Sequence, residues 1–411
     1  MSITKKDGSL DGLRGIACLV VFSSHFFYLA FPYLQRARWI DQSIFQPAWP
    51  WEVWFGRAPF TLIYNGDLAV LVFFVLSGFV LMRKHWQTGD RISLLTGALK
   101  RYPRLVLPVA GSVLFALALM KAGLMDARAL QDFPSWSQQY ALLSSNVDVF
   151  WRQQYSHAPD ALTALRATFI SVLSLHDDAT LSRWNSPLWS INIELLASIS
   201  LFAVYFVFGD RKLLAGLALV ALGFAAGMPL YFAAFAIGAS LNGATKWLKS
   251  HQKVSAALFV AGLAIGLFDY SETFKLMAAV VPPGYNRRAF WYLFAASFVL
   301  AGTIGSRQLT RFFSHKICAY FGRISFSLYI LHWPLLFSFS IWTIKSAVKM
   351  DAPYLVACLC AYLATLLLVV ALSEVFYRNV DARAVRLADW LADRLIKRRR
   401  ASSAHPIEVG A

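Results

Sequence analysis

The sequence predicts an all-α protein, a polytopic membrane helix bundle of about ten transmembrane helices with both termini in the cytoplasm. Three observations support this prediction. Hydrophobic residues make up 58% of the 411 positions, and the mean hydropathy of +0.53 is well above that of soluble proteins. Hydrophobic runs near bilayer length recur along the chain. Lysine and arginine are denser in alternate connections, which is the bias of cytoplasmic loops.

The hydrophobic runs set the boundaries of the ten predicted spans. The fifth and sixth runs are short and are separated only by Gly227-Met228-Pro229. With the N-terminus inside, an even number of spans returns the C-terminus to the cytoplasm. The predicted spans are 13–31, 67–84, 103–121, 187–208, 212–227, 229–247, 253–269, 289–305, 321–343 and 354–376.

Two long connections, residues 32–66 and 122–186, are predicted to face outward. The first contains four tryptophans, which suit an aromatic layer at the membrane interface. The second is polar with scattered apolar residues and is long enough for a cap of short helices. The four tryptophans are Trp39, Trp49, Trp51 and Trp54.

The chain divides into a predicted transmembrane domain, residues 1–380, and a cytoplasmic amphipathic helix with a basic tail, residues 381–411. In the second segment apolar residues follow helical spacing with arginines between them, and Lys397-Arg-Arg-Arg400 comes near its end. This pattern indicates a helix lying on an anionic leaflet of the lipid bilayer. The apolar positions are Val385, Ala388, Leu391 and Leu395.

The formal net charge of +17 does not indicate a nucleic-acid partner. The basic residues form short clusters between apolar runs, whereas nucleic-acid binding calls for a continuous basic stripe. The four cysteines lie in or beside predicted spans. The sequence therefore predicts neither a disulfide framework nor a metal site.

The first hydrophobic run contains an arginine and a histidine, Arg14 and His25. Eleven residues correspond to just over three helical turns, so the two side chains share a helix face and lie roughly 16 Å apart along the axis. An ionisable group inside a span costs about 2.5–3.5 kcal/mol even on the mildest insertion scale. Because such groups persist mainly where they serve a function, we predict that both residues are catalytic.

Two further polar residues are catalytic candidates. His332 lies within the ninth predicted span, and Tyr329 is three residues before it on the same face, so a structural hydrogen-bond network is an equal alternative. Glu194 follows Trp189-Ser190 at the start of the fourth predicted span, roughly 8–10 Å below the outer surface by helix rise. A buried carboxylate needs a partner or a proton. We expect Glu194 to orient or charge an imidazole, with an interhelical hydrogen bond as the alternative.

A basic cluster, Lys100-Arg101-Tyr102-Pro103-Arg104, stands at the inner end of the third predicted span. Anchoring of the span on the cytoplasmic side explains any one of these residues. Arg101 and Arg104 are three residues apart at a helix start, and their forked guanidinium groups suit phosphates. Together with Arg14 they make a cytoplasmic phosphate site plausible. On the outer side, Asn65 and Asp67 are candidates to line a vestibule.

The sequence is similar to the acyltransferase-3 family of integral membrane acyltransferases. The similarity rests on six segments that occur in the family's order from about residue 8 to 378. They are Leu10-Asp-Gly-Leu-Arg14 with His25, Phe73-Phe-Val-Leu-Ser-Gly-Phe79, Lys100-Arg-Tyr-Pro-Arg104, Trp189-Ser with Glu194, Ser325-Phe-Ser-Leu-Tyr-Ile-Leu-His332, and Glu374.

The resemblance implies transfer of an acyl group, commonly acetyl, from cytoplasmic acyl-coenzyme A to a carbohydrate hydroxyl at or beyond the outer surface. It implies that Arg14 and His25 are essential, and that Arg101 and Arg104, with Lys100 beside them, bind the donor. Asp67, Asn65, Tyr329 and Trp189 are then the candidates for substrate binding. We expect no permanently bound cofactor and a location in a bacterial inner membrane.

The resemblance also leaves alternatives open. Some family members carry an esterase-like periplasmic domain, whereas this sequence ends in a basic tail. Transfer is therefore expected to be direct or through a separate periplasmic protein. Family members often have an aromatic residue soon after the glutamate, where this chain has Leu195-Leu-Ala-Ser198, which bears on the acceptor. The rival functions are a proton-coupled transporter or flippase, with His25, Glu194 and His332 as a relay, and a binding or sensor protein.

Overall fold

The computed structural model describes residues 8–38, 46–137, 150–151, 153–174, 178–269 and 272–403, and within these ranges the chain contains helices and no strand. The α-helices of six or more residues are α1 Gly8–Ala30, α2 Pro50–Phe55, α3 Gly66–Thr88, α4 Arg91–Lys121, α5 Ala161–Phe169, α6 Trp189–Phe208, α7 Lys212–Ala225, α8 Pro229–Ser250, α9 Gln252–Ile265, α10 Arg287–Gly305, α11 Arg307–Phe313, α12 Lys316–Leu335, α13 Ile341–Lys349, α14 Tyr354–Phe376 and α15 Ala382–Ser403.

Seven helical segments in the described ranges are long and apolar enough to cross a membrane. They contain α1, α3, α4, α6, α10, α12 and α14. Each of the ten predicted spans overlaps a helix, but α7 and α9 have only 14 residues each, and α8 is not among the seven segments. The protein is thus an all-helical, multi-pass membrane protein. The count of ten spans and the cytoplasmic position of both termini stay predictions.

Helices α1 and α12 run parallel in a tight, fixed register. A Cβ atom on Gly15 would lie 2.5 Å from the backbone nitrogen of Gly322, and one on Gly322 would overlap the carbonyl of Asp11. Just under one turn beyond both glycines, the Cys18 thiol donates a hydrogen bond to the Ser325 carbonyl at 3.1 Å. Glycine lets the two backbones approach closely, as it does in many membrane helix pairs.

Helices α3 and α8 form a second close contact of the same kind. A Cβ atom on Gly78 would overlap the carbonyl of Phe235, and one on Gly238 would overlap the carbonyl of Val75. The small pair Ser77-Gly78 inside the second span therefore marks close helix packing.

The connection between α4 and α6 contains the predicted short helices, but part of it packs along the bundle. The Tyr102 hydroxyl donates to the Phe169 carbonyl at 2.9 Å, although Tyr102 belongs to the basic cluster at the inner end of the third predicted span. The Asn185 amide donates to Ser112 Oγ at 2.7 Å and to the Ile330 carbonyl at 2.6 Å. Residues 161–174 and 178–188 thus lie beside α4, and α6 begins inside the bundle.

The tryptophans of the first connection pack onto the end of α1. Trp49 stacks on Tyr354 with ring centroids 5.3 Å apart, and Trp51 lies edge-on to Phe31 at 4.8 Å. Trp54 is exposed, whereas Trp39 falls outside the described residues. Glu52 is buried in this aromatic cluster and accepts a hydrogen bond from the Ala48 backbone at 3.0 Å. Burial raises the pKa of the Glu52 carboxyl to about 7.

Helix α15 differs from the predicted interfacial helix in the face that it buries. It follows α14 through a π-helical turn, Tyr377–Asp381, and its buried face consists of three alanines one turn apart, Ala384, Ala388 and Ala392. Leu391 and Leu395, which were predicted to share an apolar face with Ala388, are exposed. The side chains of residues 397–411 lie outside the described part of the chain.

Replacing Gly322 with alanine is expected to lower the thermal unfolding temperature of the detergent-solubilised protein. The added methyl group has no room against the Asp11 carbonyl, and such overpacking costs about 1–3 kcal/mol. The matched control is Gly216→Ala, because a Cβ atom on Gly216 of α7 meets nothing within 4 Å. Equal unfolding temperatures for the two variants would show that the α1–α12 contact is not tight.

Replacing Glu52 with glutamine is expected to stabilise the protein at high pH and not at low pH. The folded carboxyl has a pKa of about 7 against an ordinary value of 4.5, so the folded state binds more protons between these values. Stability therefore falls as the pH rises through this window. Thermal unfolding should give Glu52→Gln an advantage over the wild type at pH 8 that vanishes near pH 4.5. Asp132→Asn, at an exposed carboxylate, is the control.

Candidate active site

A cavity of about 440 Å³ lies among α1, α3, α4, α6, α12 and the turn between α14 and α15. Its walls combine phenylalanine and aliphatic side chains with a concentrated set of charged and polar groups. The site residues predicted from the sequence that reach it are Arg14, Arg101, Arg104, Glu194 and Tyr329. Five side chains from four helices therefore share one chamber.

The arginines are held by carboxylates at one end of this cavity. Arg101 is buried, and its Nη2 donates to Glu194 Oε1 at 2.7 Å while its Nε donates to Ser198 Oγ at 2.9 Å. Arg14 Nη1 lies 3.5 Å from Asp11 Oδ1, one turn back on α1. A guanidinium group removed from water needs such partners, because an unpaired buried charge is strongly destabilising.

Glu194 has a different partner from the one expected. The sequence suggested an imidazole partner near the outer surface, but the ion pair is with Arg101, and the Ser77 hydroxyl donates to the same carboxylate at 3.4 Å. The reason is the packing of the connection before α6. It places the start of α6 inside the bundle, so Glu194 meets the residue predicted at the inner end of α4. The interhelical hydrogen bond, the second alternative, is present.

Lys100 does not line the cavity. Its Nζ lies 2.9 Å from Asp389 Oδ1, so it links α4 to α15. Helical spacing accounts for the difference, because Lys100 precedes Arg101 by one residue and points about 100° away from it around the helix. The predicted donor contact of Lys100 is therefore replaced by a contact between helices.

His25 and His332 form a hydrogen-bonded pair. His25 Nδ1 lies 2.8 Å from His332 Nε2, the ring planes differ by 3°, and the ring centroids are 5.1 Å apart. Parallel planes with two facing nitrogens at this distance describe an in-plane hydrogen bond rather than a face-to-face stack. His332 is fully buried, whereas His25 keeps partial exposure.

The tautomers of the neutral pair follow from the outer partner of His332. His332 Nδ1 lies 3.3 Å from the Leu328 carbonyl, which only accepts, so this nitrogen carries the proton. His332 Nε2 then accepts, and His25 Nδ1 must donate to it. The lone pair of His25 consequently resides on Nε2. In histidines generally, the hydrogen bond made by one ring nitrogen determines which nitrogen carries the proton.

The cavity ends at Tyr329, one helical turn before His332. The two rings have centroids 5.9 Å apart, and the Tyr329 hydroxyl hydrogen-bonds with Ser190 Oγ at 2.7 Å. His25 is not among the residues that line the cavity, and the edge of Trp333 covers it at 4.9 Å. Arg14 thus lines the cavity, whereas His25 lies beyond the end formed by Tyr329, so the two side chains do not face one continuous chamber.

The remaining predicted substrate-binding residues have structural contacts. Asn65 Oδ1 caps α3 by accepting from the Leu68 backbone at 3.1 Å, and its amide donates to the Gly266 carbonyl at 2.9 Å. Asp67 forms an ion pair with Arg288. The cleft beside these residues holds only about 20 Å³, room for roughly one water. Trp189 packs against Tyr231 at 5.8 Å. A substrate role for the three stays a prediction.

Sequence reasoning missed three charged residues that line the cavity, Asp11, Arg323 and Asp381. Arg323 Nη2 lies 2.9 Å from Glu374 Oε2, and Arg378 Nε lies 2.6 Å from Glu374 Oε1. Arg323 lies in the ninth predicted span, so its position in an apolar run was an available signal. Asp381 follows a span and carried no such signal.

Comparison with known proteins gives matches along most of the chain. A family model described as an acyltransferase domain matches residues 7–374. Acyltransferase clz18 of Cochliobolus lunatus is 24% identical over 80% of this chain and 82% of that protein. O-acetyltransferase PaAT-1 of Phomopsis amygdali is 22% identical, covering 94% and 85%, and acyltransferase R4 of a Phoma species is 22% identical, covering 80% and 82%. No solved structure matches the chain.

Replacing Glu194 with alanine is expected to destabilise the protein by about 3 kcal/mol, because the change leaves the buried Arg101 charge without its carboxylate. Lys345→Ala is the control, since it removes one partner of a half-exposed pair with Asp126 and should cost under about 1 kcal/mol. Thermal unfolding in detergent compares the two variants. A Glu194 variant as stable as the control would contradict a buried, tightly coupled pair.

Proposed function

Because the chain belongs to the acyltransferase-3 family, we propose that this membrane acyltransferase moves an acyl group from acyl-coenzyme A to a hydroxyl group. Acetyl is the proposed acyl group, and a carbohydrate at the far side of the membrane is the proposed acceptor. The printed name of PaAT-1, an O-acetyltransferase, supports an acetyl donor and a hydroxyl acceptor. Donor and acceptor are substrates, and the proposal needs no resident cofactor.

The arginine end of the cavity suits the phosphates of coenzyme A. Arg14, Arg101 and Arg104 come from two helices and converge on one chamber. Guanidinium groups bind phosphate oxygens through paired, charge-assisted hydrogen bonds. A chamber of about 440 Å³ with apolar walls also suits the extended thiol arm of the donor. Arg323 is a fourth basic group on the same wall.

The observation that supports the proposal most is the hydrogen-bonded pair of His25 and His332. His25 Nε2 holds the lone pair, and His332 and the Leu328 carbonyl fix the orientation of the ring. His25 Nε2 takes the proton from the acceptor hydroxyl, whose oxygen attacks the thioester carbonyl. The carbon–sulfur bond breaks, and the leaving thiolate takes that proton, so an ester and a thiol are formed. General-base catalysis of this kind contributes about 10²–10⁴ in rate.

The same lone pair also permits a second route, attack of Nε2 on the thioester to give an acyl-imidazole. Both routes require the thioester to reach His25. Since the cavity ends at Tyr329, the donor arm must displace this ring or pass beside it. Tyr329 is therefore the proposed boundary between the donor chamber and the reacting histidine.

The orientation and location of the protein belong to the same proposal. Both termini face the cytoplasm, and the donor enters from that side. The sequence favours a bacterial inner membrane, whereas the three relatives compared are fungal proteins. Acyl transfer is direct or continues through a separate esterase-like protein on the far side.

The transporter or flippase alternative has less support. It requires a proton relay from His25 through His332 to Glu194. The Glu194 carboxylate is instead paired with Arg101 and Ser77. The imidazoles of His25 and His332 hydrogen-bond to each other, so the contacts that hold Glu194 do not form the required relay.

The test is acyl transfer by purified protein in nanodiscs, measured as release of coenzyme A thiol from acetyl-coenzyme A. His25→Ala should reduce turnover by about 10²–10⁴ and leave coenzyme A binding intact. His332→Ala should lower kcat less than His25→Ala does, because His25 itself remains. It should also change the pH profile of kcat, because His25 then lacks the hydrogen-bond partner that orients its ring. His251→Ala, at an exposed histidine, is the control. Full turnover by His25→Ala would overturn the assignment.

A further inference from the structure

Helix α15 lies beyond residues 7–374, the part of the chain that the family model matches, and yet it helps to close the cavity. Ala382 and Val385 of α15, with Tyr377 and Asp381 of the turn before it, form one wall. Asp381 faces the charges of Arg104 and Arg14 across the chamber. The donor chamber is therefore complete only while this helix is docked.

The face of α15 that packs against α4 consists of small side chains. It presents Ala384, Ala388 and Ala392 to α4. Among the side chains that the structure describes, one ion pair, Lys100 with Asp389, joins the two helices. Asp389 is half-exposed, and an exposed ion pair contributes only about 0–1 kcal/mol. Alanine methyl groups bury little apolar area compared with larger side chains. This contact alone holds the helix lightly.

The remaining surface of α15 carries large apolar side chains that the protein leaves uncovered. Their exposed fractions run from 36% to 51%. Arginines Arg383, Arg386 and Arg394 are exposed beside them, and the Arg394 guanidinium lies 4.2 Å above the Trp390 ring. The exposed apolar residues are Leu387, Trp390, Leu391 and Leu395. We call these four leucine and tryptophan residues and the three arginines the outer face of α15.

An anionic lipid surface fits the outer face. Leucine and tryptophan insert at the boundary of the acyl chains, and arginines beside them bind lipid phosphates. The helix also starts only a short turn after α14, an apolar segment that is long enough to cross the membrane. The outer face therefore stands next to the leaflet at which that segment ends.

We propose that α15 is a lid on the donor cavity and that an anionic lipid surface holds this lid closed through the outer face. The cavity as a donor chamber rests on the proposed function, whereas lipid binding does not. Each basic residue near an anionic surface strengthens attachment roughly fivefold. In a neutral membrane the lid is held mainly by the alanine face, and the wall formed by Ala382 and Val385 opens more often.

The first experiment measures backbone hydrogen exchange of residues 382–396 in the full chain without donor. The nanodiscs contain either phosphatidylcholine alone or phosphatidylcholine mixed with phosphatidylglycerol. The anionic lipid should slow exchange of the wild type at least about fivefold. The variant R383Q/R386Q/R394Q should lose this difference. The control R307Q/R311Q/K316Q removes equal charge from exposed positions of α11 and the start of α12 and should behave as wild type.

The second experiment measures the KM for acetyl-coenzyme A in the same anionic nanodiscs. The α15 variant should have a KM several-fold above that of the control variant, with kcat little changed. Both variants are measured in the same nanodiscs, so the repulsion between anionic lipid and the anionic donor affects both KM values equally. Equal exchange rates in both membranes would overturn the lid proposal. Protection that increases with protein concentration would also overturn it, because it would indicate that two copies of the protein associate through α15. Slowed exchange without any turnover would refute the proposed function and leave lipid binding supported.

Discussion

The close contact between α1 and α12 is the interaction on which the candidate site depends. Gly15 and Gly322 allow the two backbones to touch, and they fix the offset between the helices. That same offset, 307 residues, joins Cys18 to Ser325 and His25 to His332. A larger residue at either glycine has no room between the two backbones. The proposed catalytic geometry is therefore set by backbone packing about two to three turns away.

Charge compensation is the second constraint within the bundle. The cavity brings Arg14, Arg101 and Arg104 together. Asp11, one turn back on α1, pairs with Arg14, and Glu194 of α6 pairs with Arg101. Pairing with a carboxylate offsets the free-energy cost of removing each guanidinium group from water. Under the proposed function, an anionic donor competes with protein carboxylates for these guanidinium groups.

Much of the site could be predicted from sequence because the groups involved are conspicuous in apolar runs. Arg14, Arg101, Arg104 and Tyr329 reach one cavity as helical spacing suggested, and His332 proved to be the partner of His25. Glu194 could not be placed correctly, since hydropathy gives no sign that the preceding connection packs along α4. Lys100, Val385 and Ala388 have other contacts than those predicted, for a related reason. Spacing defines faces of a helix but not which face meets a neighbour.

The amino-acid sequence by itself determined that this is a helical membrane protein of the acyltransferase-3 family, and which ionisable side chains its spans contain. These properties depend on local composition and on the order of short motifs. Only the tertiary structure decided that two histidines share a proton, that Glu194 belongs to Arg101, and that α15 walls the cavity. Such facts depend on register and depth between helices distant in the chain. The glycine contacts between α1 and α12 set the register, and the packing of the connection before α6 sets the depth of that helix. Neither feature produces a periodic pattern in the sequence.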